Sequence, residues 1–252
     1  MWSRRAMGVG LLALAGCGPS PRRAPHKQAP AQPPPAPSQR AGIVSGLTAD
    51  SAAATRAIIS FLEIAPGQRV VQLWPRDTRW AESLVPYLTT GGALTLATPD
   101  PAVTPDAAKL AKMMALDLTT KRLAVTLRPF GAPGFVLAPP ASQDRVLFDA
   151  ALPALLLSGY AELAFAAAVH ALRPGGLLGV VQARAAAQAV QDPLGRNGYV
   201  QEAYVRALAA DAGLTFDRTS DLLANPADER RPGGAVKPGA DVMLVRFRKS
   251  AD

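Results

Sequence analysis

From about residue 50 onward the chain alternates between short apolar runs and segments whose apolar residues recur every three to four positions. Asp50-Ser51 precedes a segment with Ala54, Ile58, Phe61 and Leu62 on one face, which predicts a capped helix closed by the turn Ala65-Pro66-Gly67-Gln68. Arg69 to Trp74 reads as a short buried strand, and Trp80 to Leu88 as a helix broken by Gly91-Gly92. Ala93 to Thr98 is the next strand, and Pro105 to Leu118 is helical by period, with Leu110, Met113, Met114 and Asp117 spaced along it. Leu123 to Leu127 and Asp144 to Phe148 are two more strands on either side of a loop rich in Pro and Gly.

The second half continues the alternation. Gly159 to Leu172 predicts a helix that ends at Arg173-Pro174-Gly175-Gly176, before a strand over Leu177 to Gln182. Gly198 to Ala212 predicts another, with Gly213 placed for a left-handed cap. Leu214 to Arg218 and Asp241 to Arg248 close the chain as two strands with no helix between them, which suggests an antiparallel edge. Strands alternating with helices through right-handed crossovers give an α/β fold, a mostly parallel sheet with helices on both faces. The 211 residues from Gly42 to Asp252 suit one such domain, and no internal repeat is present.

The N-terminus follows different rules. Arg4 and Arg5 precede the apolar run Ala6 to Ala15, and Leu14-Ala15-Gly16-Cys17 follows. A run of about ten residues is half of what spans a bilayer, so it reads as a secretory signal rather than a transmembrane helix. The tetrapeptide resembles the lipobox of bacterial lipoproteins. That resemblance implies removal of residues 1–16, lipid on Cys17, and a membrane-anchored protein of the cell envelope facing the periplasm. Gly18, rather than an Asp, after the cysteine favours the outer membrane. Two or more acyl chains hold a protein stably, at about 0.8 kcal/mol per buried methylene. As the only cysteine, Cys17 leaves no partner for an intrachain disulfide.

Residues 17–41 form the lipidated cysteine and its tether, with Pro19, Pro21, Pro25, Pro30, Pro33, Pro34, Pro35 and Pro37. Such a segment buries no core and reads as a semi-rigid, polyproline-like spacer, which fully extended at about 3.1 Å per residue would reach roughly 70 Å.

Charge takes its meaning from this division. The formal total of +8 includes six basic residues before Gly42, so the remainder holds 21 basic against 19 acidic residues. A nearly neutral domain with no clustered basic face excludes nucleic acid as a partner. Basic residues of the tether (Arg22, Arg23, Lys27 and Arg40) suit anionic head groups instead. Two His and one Cys assemble neither a metal centre nor a Ser-His-Asp set.

Three stretches carry a second resemblance. They are Arg69-Val70-Val71-Gln72-Leu73-Trp74-Pro75 running on to Gly91-Gly92; Ala171 to Val181 around Arg173-Pro174-Gly175-Gly176; and Gly198 to Val205 with Ala224-Asn225-Pro226-Ala227-Asp228. In this order they resemble exported bacterial proteins of the class I S-adenosylmethionine-dependent methyltransferase superfamily, over about Ser51 to Lys249. The resemblance implies a Rossmann-like, seven-stranded sheet whose last strand is inserted antiparallel. It also implies S-adenosylmethionine as cofactor, held at the carboxyl ends of the strands.

The same register shows what has changed. The donor loop of that superfamily is glycine-rich, because main chain must turn sharply and approach the ligand with no β-carbon in the way. Here Gln72 takes the acidic position, and Trp74, Arg76 and Thr78 stand where three glycines belong. By position alone, Trp74, Arg76, Asp77 and Thr78 would face the cofactor, and Asp100 would meet its ribose. Relatives carry polar residues after the fourth strand and Glu-His after the fifth, where this chain has Asp149-Ala150-Ala151 and Gln182-Ala183. Asp149 is then the candidate general base. Arg76, Asp77 and Arg79 could meet an anion at a helix start, and Trp74 and Trp80 could stack on a ring or pack in the core. Glu202 with Tyr199 and Tyr204 could line a pocket, and His170 suits the last turn of its helix without a catalytic role. Two readings stand: a methyltransferase with an atypical cofactor loop, or a pseudoenzyme that binds a small molecule or an envelope protein in the same crevice.

Overall fold

The computed structural model describes residues 52–75, 79–88, 91–99, 124–130, 135–230 and 239–251, all within the compact unit Gly42–Asp252. Its elements are α1 (Ala52–Phe61), β1 (Arg69–Leu73), α2 (Arg79–Leu88), β2 (Ala93–Pro99), β3 (Ala124–Phe130) and β4 (Gln143–Asp149). They continue as α3 (Leu152–Leu157), α4 (Ala161–Ala171), β5 (Leu172–Ala183), α5 (Glu202–Asp211), β6 (Leu214–Ser220) and β7 (Val242–Lys249).

The strands form one seven-stranded sheet in the order β3-β2-β1-β4-β5-β7-β6. From β3 to β5 every neighbour is parallel, and β7 runs antiparallel to both β5 and β6. The final strand therefore enters the sheet, and β6 becomes its edge. This is the Rossmann-like topology that the sequence predicts.

Alternation along each strand assigns the two faces. Val70, Leu94, Leu96, Leu147, Val181 and Leu244 pack against α1 and α2. On the other face Val71, Leu73, Val146, Phe148, Val180 and Met243 pack against α3, α4 and α5. Helices on opposite faces follow from crossovers that leave β1 and β4 in opposite directions. The chain thus reverses its winding between these two neighbouring strands. That is the switch point, where an open sheet of this kind leaves a crevice at its carboxyl edge.

Two buried arginines fasten α1 to the sheet. Arg145 on β4 donates to the carbonyls of Leu62 at 2.6 Å and Glu63 at 2.8 Å. Arg246 on β7 donates to Phe61 O at 2.5 Å and Glu63 Oε1 at 2.9 Å, and its Nε also binds Asp217. Carbonyls at a helix end lack intrahelical partners and carry partial negative charge, so cations belong there.

Several expected boundaries move, each for a local reason. Leu152–Leu157 is a short helix with proline in its first turn, burying Leu152, Leu155 and Leu156; its unbroken apolar run hides the period. The Arg173-Pro174-Gly175-Gly176 turn is absorbed into β5 as an irregularity between the Leu172 and Leu177 pairings. Residues 198–201 are not helical, because Val200 pairs beside the end of β5, donating to Ala183 O and accepting from Ala185 N. Gly213 takes φ +92° and ends α5 as its sequence position predicts. The helix expected over 105–118 lies outside the described residues. Among the described residues no helix is long and apolar enough to cross a membrane.

Candidate functional site

The switch point lies at the ends of β1 and β4, which run side by side with Leu73 opposite Phe148. Both strands end in a sharp left-handed turn on a residue that is not glycine. Trp74 has φ +51° and Ala150 has φ +50°. Each amide is secured by the next strand, Trp74 N to Ala97 O at 2.7 Å and Ala150 N to Val181 O at 2.8 Å. This conformation costs a residue with a β-carbon about 1–2 kcal/mol, and it persists only where the surroundings enforce it. At Trp74 the backbone keeps a turn suited to glycine while the half-buried indole packs on the α3–α4 side of the core. A loop that must present bare main chain to a ligand is not what Trp74 offers.

Beside the switch point stands Trp80, in the first turn of α2 and only 1% exposed. Its indole Nε1 donates to Asp149 Oδ2 at 2.6 Å. Asp149 is the last residue of β4, and alternation points it to the α1–α2 face, opposite Phe148. The bond joins the helix after β1 to the end of β4, on the two sides of the switch point. Charge-assisted bonds of this kind are short and strong. One position inside the end of β1, on the same face, Gln72 is 1% exposed and its Oε1 has no hydrogen-bond partner.

A second polar assembly forms the rim over the ends of β5 and β7. Asp241, 1% exposed, lies at its centre. Arg184 grips it with both prongs, Nε to Oδ2 at 3.0 Å and Nη2 to Oδ1 at 2.9 Å. Arg230 also donates to Oδ2, and the Asn225 amide donates to Oδ1 at 2.9 Å. Asp228 Oδ2 accepts the Asp241 amide at 2.7 Å, and its Oδ1 receives the Tyr199 hydroxyl at 3.4 Å. Glu202 extends the assembly outward, accepting from Arg184 at 3.4 Å and Arg206 at 2.5 Å.

The electrostatics follow from these contacts. Burial works to raise the Asp241 carboxyl, but hydrogen bonds from Arg184, Arg230 and Asn225 outweigh it and hold the group below its ordinary value. The bond to Asp241 raises Arg184 correspondingly. Burial and the neighbouring Asp228 push the Tyr199 hydroxyl up, so it stays protonated.

The sequence-level candidates separate accordingly. Trp74 and Asp149 lie at the adjoining ends of β1 and β4, with Asp149 engaged by Trp80. Trp80 is a core residue with a polar tie. Glu202 and Tyr199 belong to the rim assembly, whereas Tyr204 packs on the apolar cluster. His170 is exposed in the last turn of α4. Arg76, Asp77, Thr78, Asp100 and Cys17 lie outside the described residues. Sequence reasoning gave no site role to Arg184, Arg230 and Asp241, nor to Asp228, which it cited only within a stretch that carries the resemblance; the available signal was a charge immediately after β5 and another immediately before β7. Among the described residues no group of His, Cys, Asp and Glu could hold a metal ion.

No family model matches the chain, and no curated protein matches it in sequence. Solved structures do match in fold. The N-methyltransferase NodS from Bradyrhizobium japonicum is 18% identical, with a TM-score of 0.53 over 79% of this chain and 95% of that one. A SAM-dependent methyltransferase from Aquifex aeolicus is 12% identical, with a TM-score of 0.51 over 77% and 88%. The 4+2 cyclase SpnF is 15% identical, with a TM-score of 0.55 over 79% and 81%. The chain has the fold of SAM-dependent methyltransferases, and this fold also serves a cyclase.

Proposed function

We propose that this chain is an exported bacterial lipoprotein, anchored through lipid on Cys17 and facing the periplasm, whose methyltransferase-fold domain binds a ligand or envelope partner without transferring methyl groups. The observation that carries the reading is Trp74, which keeps φ +51° at a position where the resemblance calls for glycine. Its β-carbon covers main chain that a nucleotide-like donor would need bare, and its indole packs on the α3–α4 side of the core, so the residues present do not fit S-adenosylmethionine. Fold alone does not assign an activity, since function resides in the site. The cyclase among the structures of this fold illustrates the point.

Methyl transfer is the second reading. It is favoured by the shared topology and by the place of Asp149 at the carboxyl end of β4. It demands little beyond positioning of donor and acceptor.

Calorimetry on the chain from Gly18 to Asp252 separates the two. Silence with millimolar S-adenosylmethionine is expected, and micromolar binding would overturn the non-transferring reading. Anchoring is tested by growth with labelled palmitate. Label should enter the protein and be lost in Cys17→Ser; label that persists in the variant refutes lipidation at this cysteine.

A further inference from the structure

Three features place Trp80 where a ligand would be expected. The carboxyl edge between β1 and β4 is the switch point of the sheet, where open α/β sheets receive ligands. Trp80 enters from α2, on the β1 side, and its indole N–H reaches the carboxylate at the end of β4. The ring is buried to 1% exposure although it sits in the first turn of its helix. A buried ring N–H needs an acceptor, and the half-buried Asp149 carboxylate supplies it.

We propose that Trp80 is the chain's own occupant of a ring-binding position in this crevice, recognised through its indole N–H by Asp149. A planar heteroaromatic ring carrying an N–H is the class of ligand that this position accepts once the tryptophan is gone. The inference rests on the reading that the crevice binds without methyl transfer. Asp149 then acts as a recognition group for an N–H, with its acceptor oxygen already engaged, and not as a free base. Gln72 adds a second observation on the same face. Its buried Oε1 lacks a donor, and a second N–H on a ligand would satisfy it.

The test uses the chain from Gly18 to Asp252 carrying Trp80→Gly, titrated with indole and with benzofuran. Benzofuran has nearly the same shape and places an oxygen where indole has its N–H. One indole should bind per chain, at least tenfold more tightly than benzofuran, and that preference should vanish in Trp80→Gly/Asp149→Asn. Equal binding of the two rings, or no binding by a folded variant, would overturn the proposal. The wild-type chain, with the position filled, should not bind indole, and stoichiometric binding to it would refute the occupancy.

Should Trp80→Gly not fold, Asp149→Asn in the otherwise intact chain supplies the readout. The Trp80 indole N–H, assigned by its loss in Trp80→Phe, should exchange with solvent at least tenfold faster; an unchanged rate would sink the idea. These outcomes do not depend on S-adenosylmethionine, whose binding is judged separately, so failure here and failure of the non-transferring reading remain distinguishable.

Discussion

Arg184 and Asp241 are joined as a two-pronged ion pair although 57 residues separate them in the chain. The pair ties the end of β5 to the start of β7, and Arg230 and Asn225 bring the loop after β6 onto the same carboxylate. The polar assembly over the ends of β5 and β7 is therefore built around one buried acid.

Asp241→Ala should cost about 3–5 kcal/mol in urea unfolding, the range for removing one partner of a buried ion pair. Two cations and the Asn225 amide lose their shared acceptor. A loss below about 1 kcal/mol would mean that the assembly is solvated and loosely held.

Acid should reveal the same residue. Asp241 is held below its ordinary value in the fold, so its contribution is fully present above the unfolded value of about 3.9. It is lost as pH falls through the lower folded value. Stability of the wild type should fall below about pH 4 more steeply than that of Asp241→Asn, through proton uptake by Asp241 on unfolding. Equal pH slopes in the two proteins would contradict this.

Trp74 allows a comparison of backbone against side chain. Trp74→Ala and Trp74→Gly both lose the indole, but only glycine relieves φ +51°. Trp74→Gly should therefore be the more stable of the two by about 1 kcal/mol. The reverse order would show that the turn is not enforced in solution.

Gly179 on β5 lies against Leu62, the residue that follows α1. A β-carbon there would meet Leu62 Cδ2 at 2.3 Å and Cδ1 at 2.8 Å. Gly179→Ala should destabilise by about 1–3 kcal/mol, as overpacked cores do, and Leu62→Ala should recover part of that loss in a double-mutant cycle. Additive effects would separate the two positions.

Gln72→Leu makes the opposite prediction for a buried polar residue. With Oε1 unpartnered, replacement by an apolar side chain should be neutral or stabilising by about 1 kcal/mol in thermal unfolding. A marked loss would mean that water or a ligand completes its bonding.

Much of the architecture is legible from local pattern. The strands expected at 69–74, 93–98, 144–148 and 241–248 form within one residue of those bounds, and Gly213 marks the end of α5. Legibility fails where the local signal is weak or overridden. Six apolar residues at Leu152–Leu157 show no period, and the extended course of residues 198–201 is dictated by Val200 pairing beside β5.

The sequence by itself determined the order and type of the main elements and the neutral character of the domain. Periodicity, turn chemistry and composition act over a few residues, so a linear reading captures them. Only the tertiary structure decided that Trp80 meets Asp149 across 69 residues and that Arg184, Arg230 and Asp228 converge on Asp241. Such meetings depend on strand order and register, which bring distant chain segments to the same edge of the sheet. Conformation also needed the fold: neighbouring strands hold Trp74 and Ala150 at positive φ, which neither residue would choose alone.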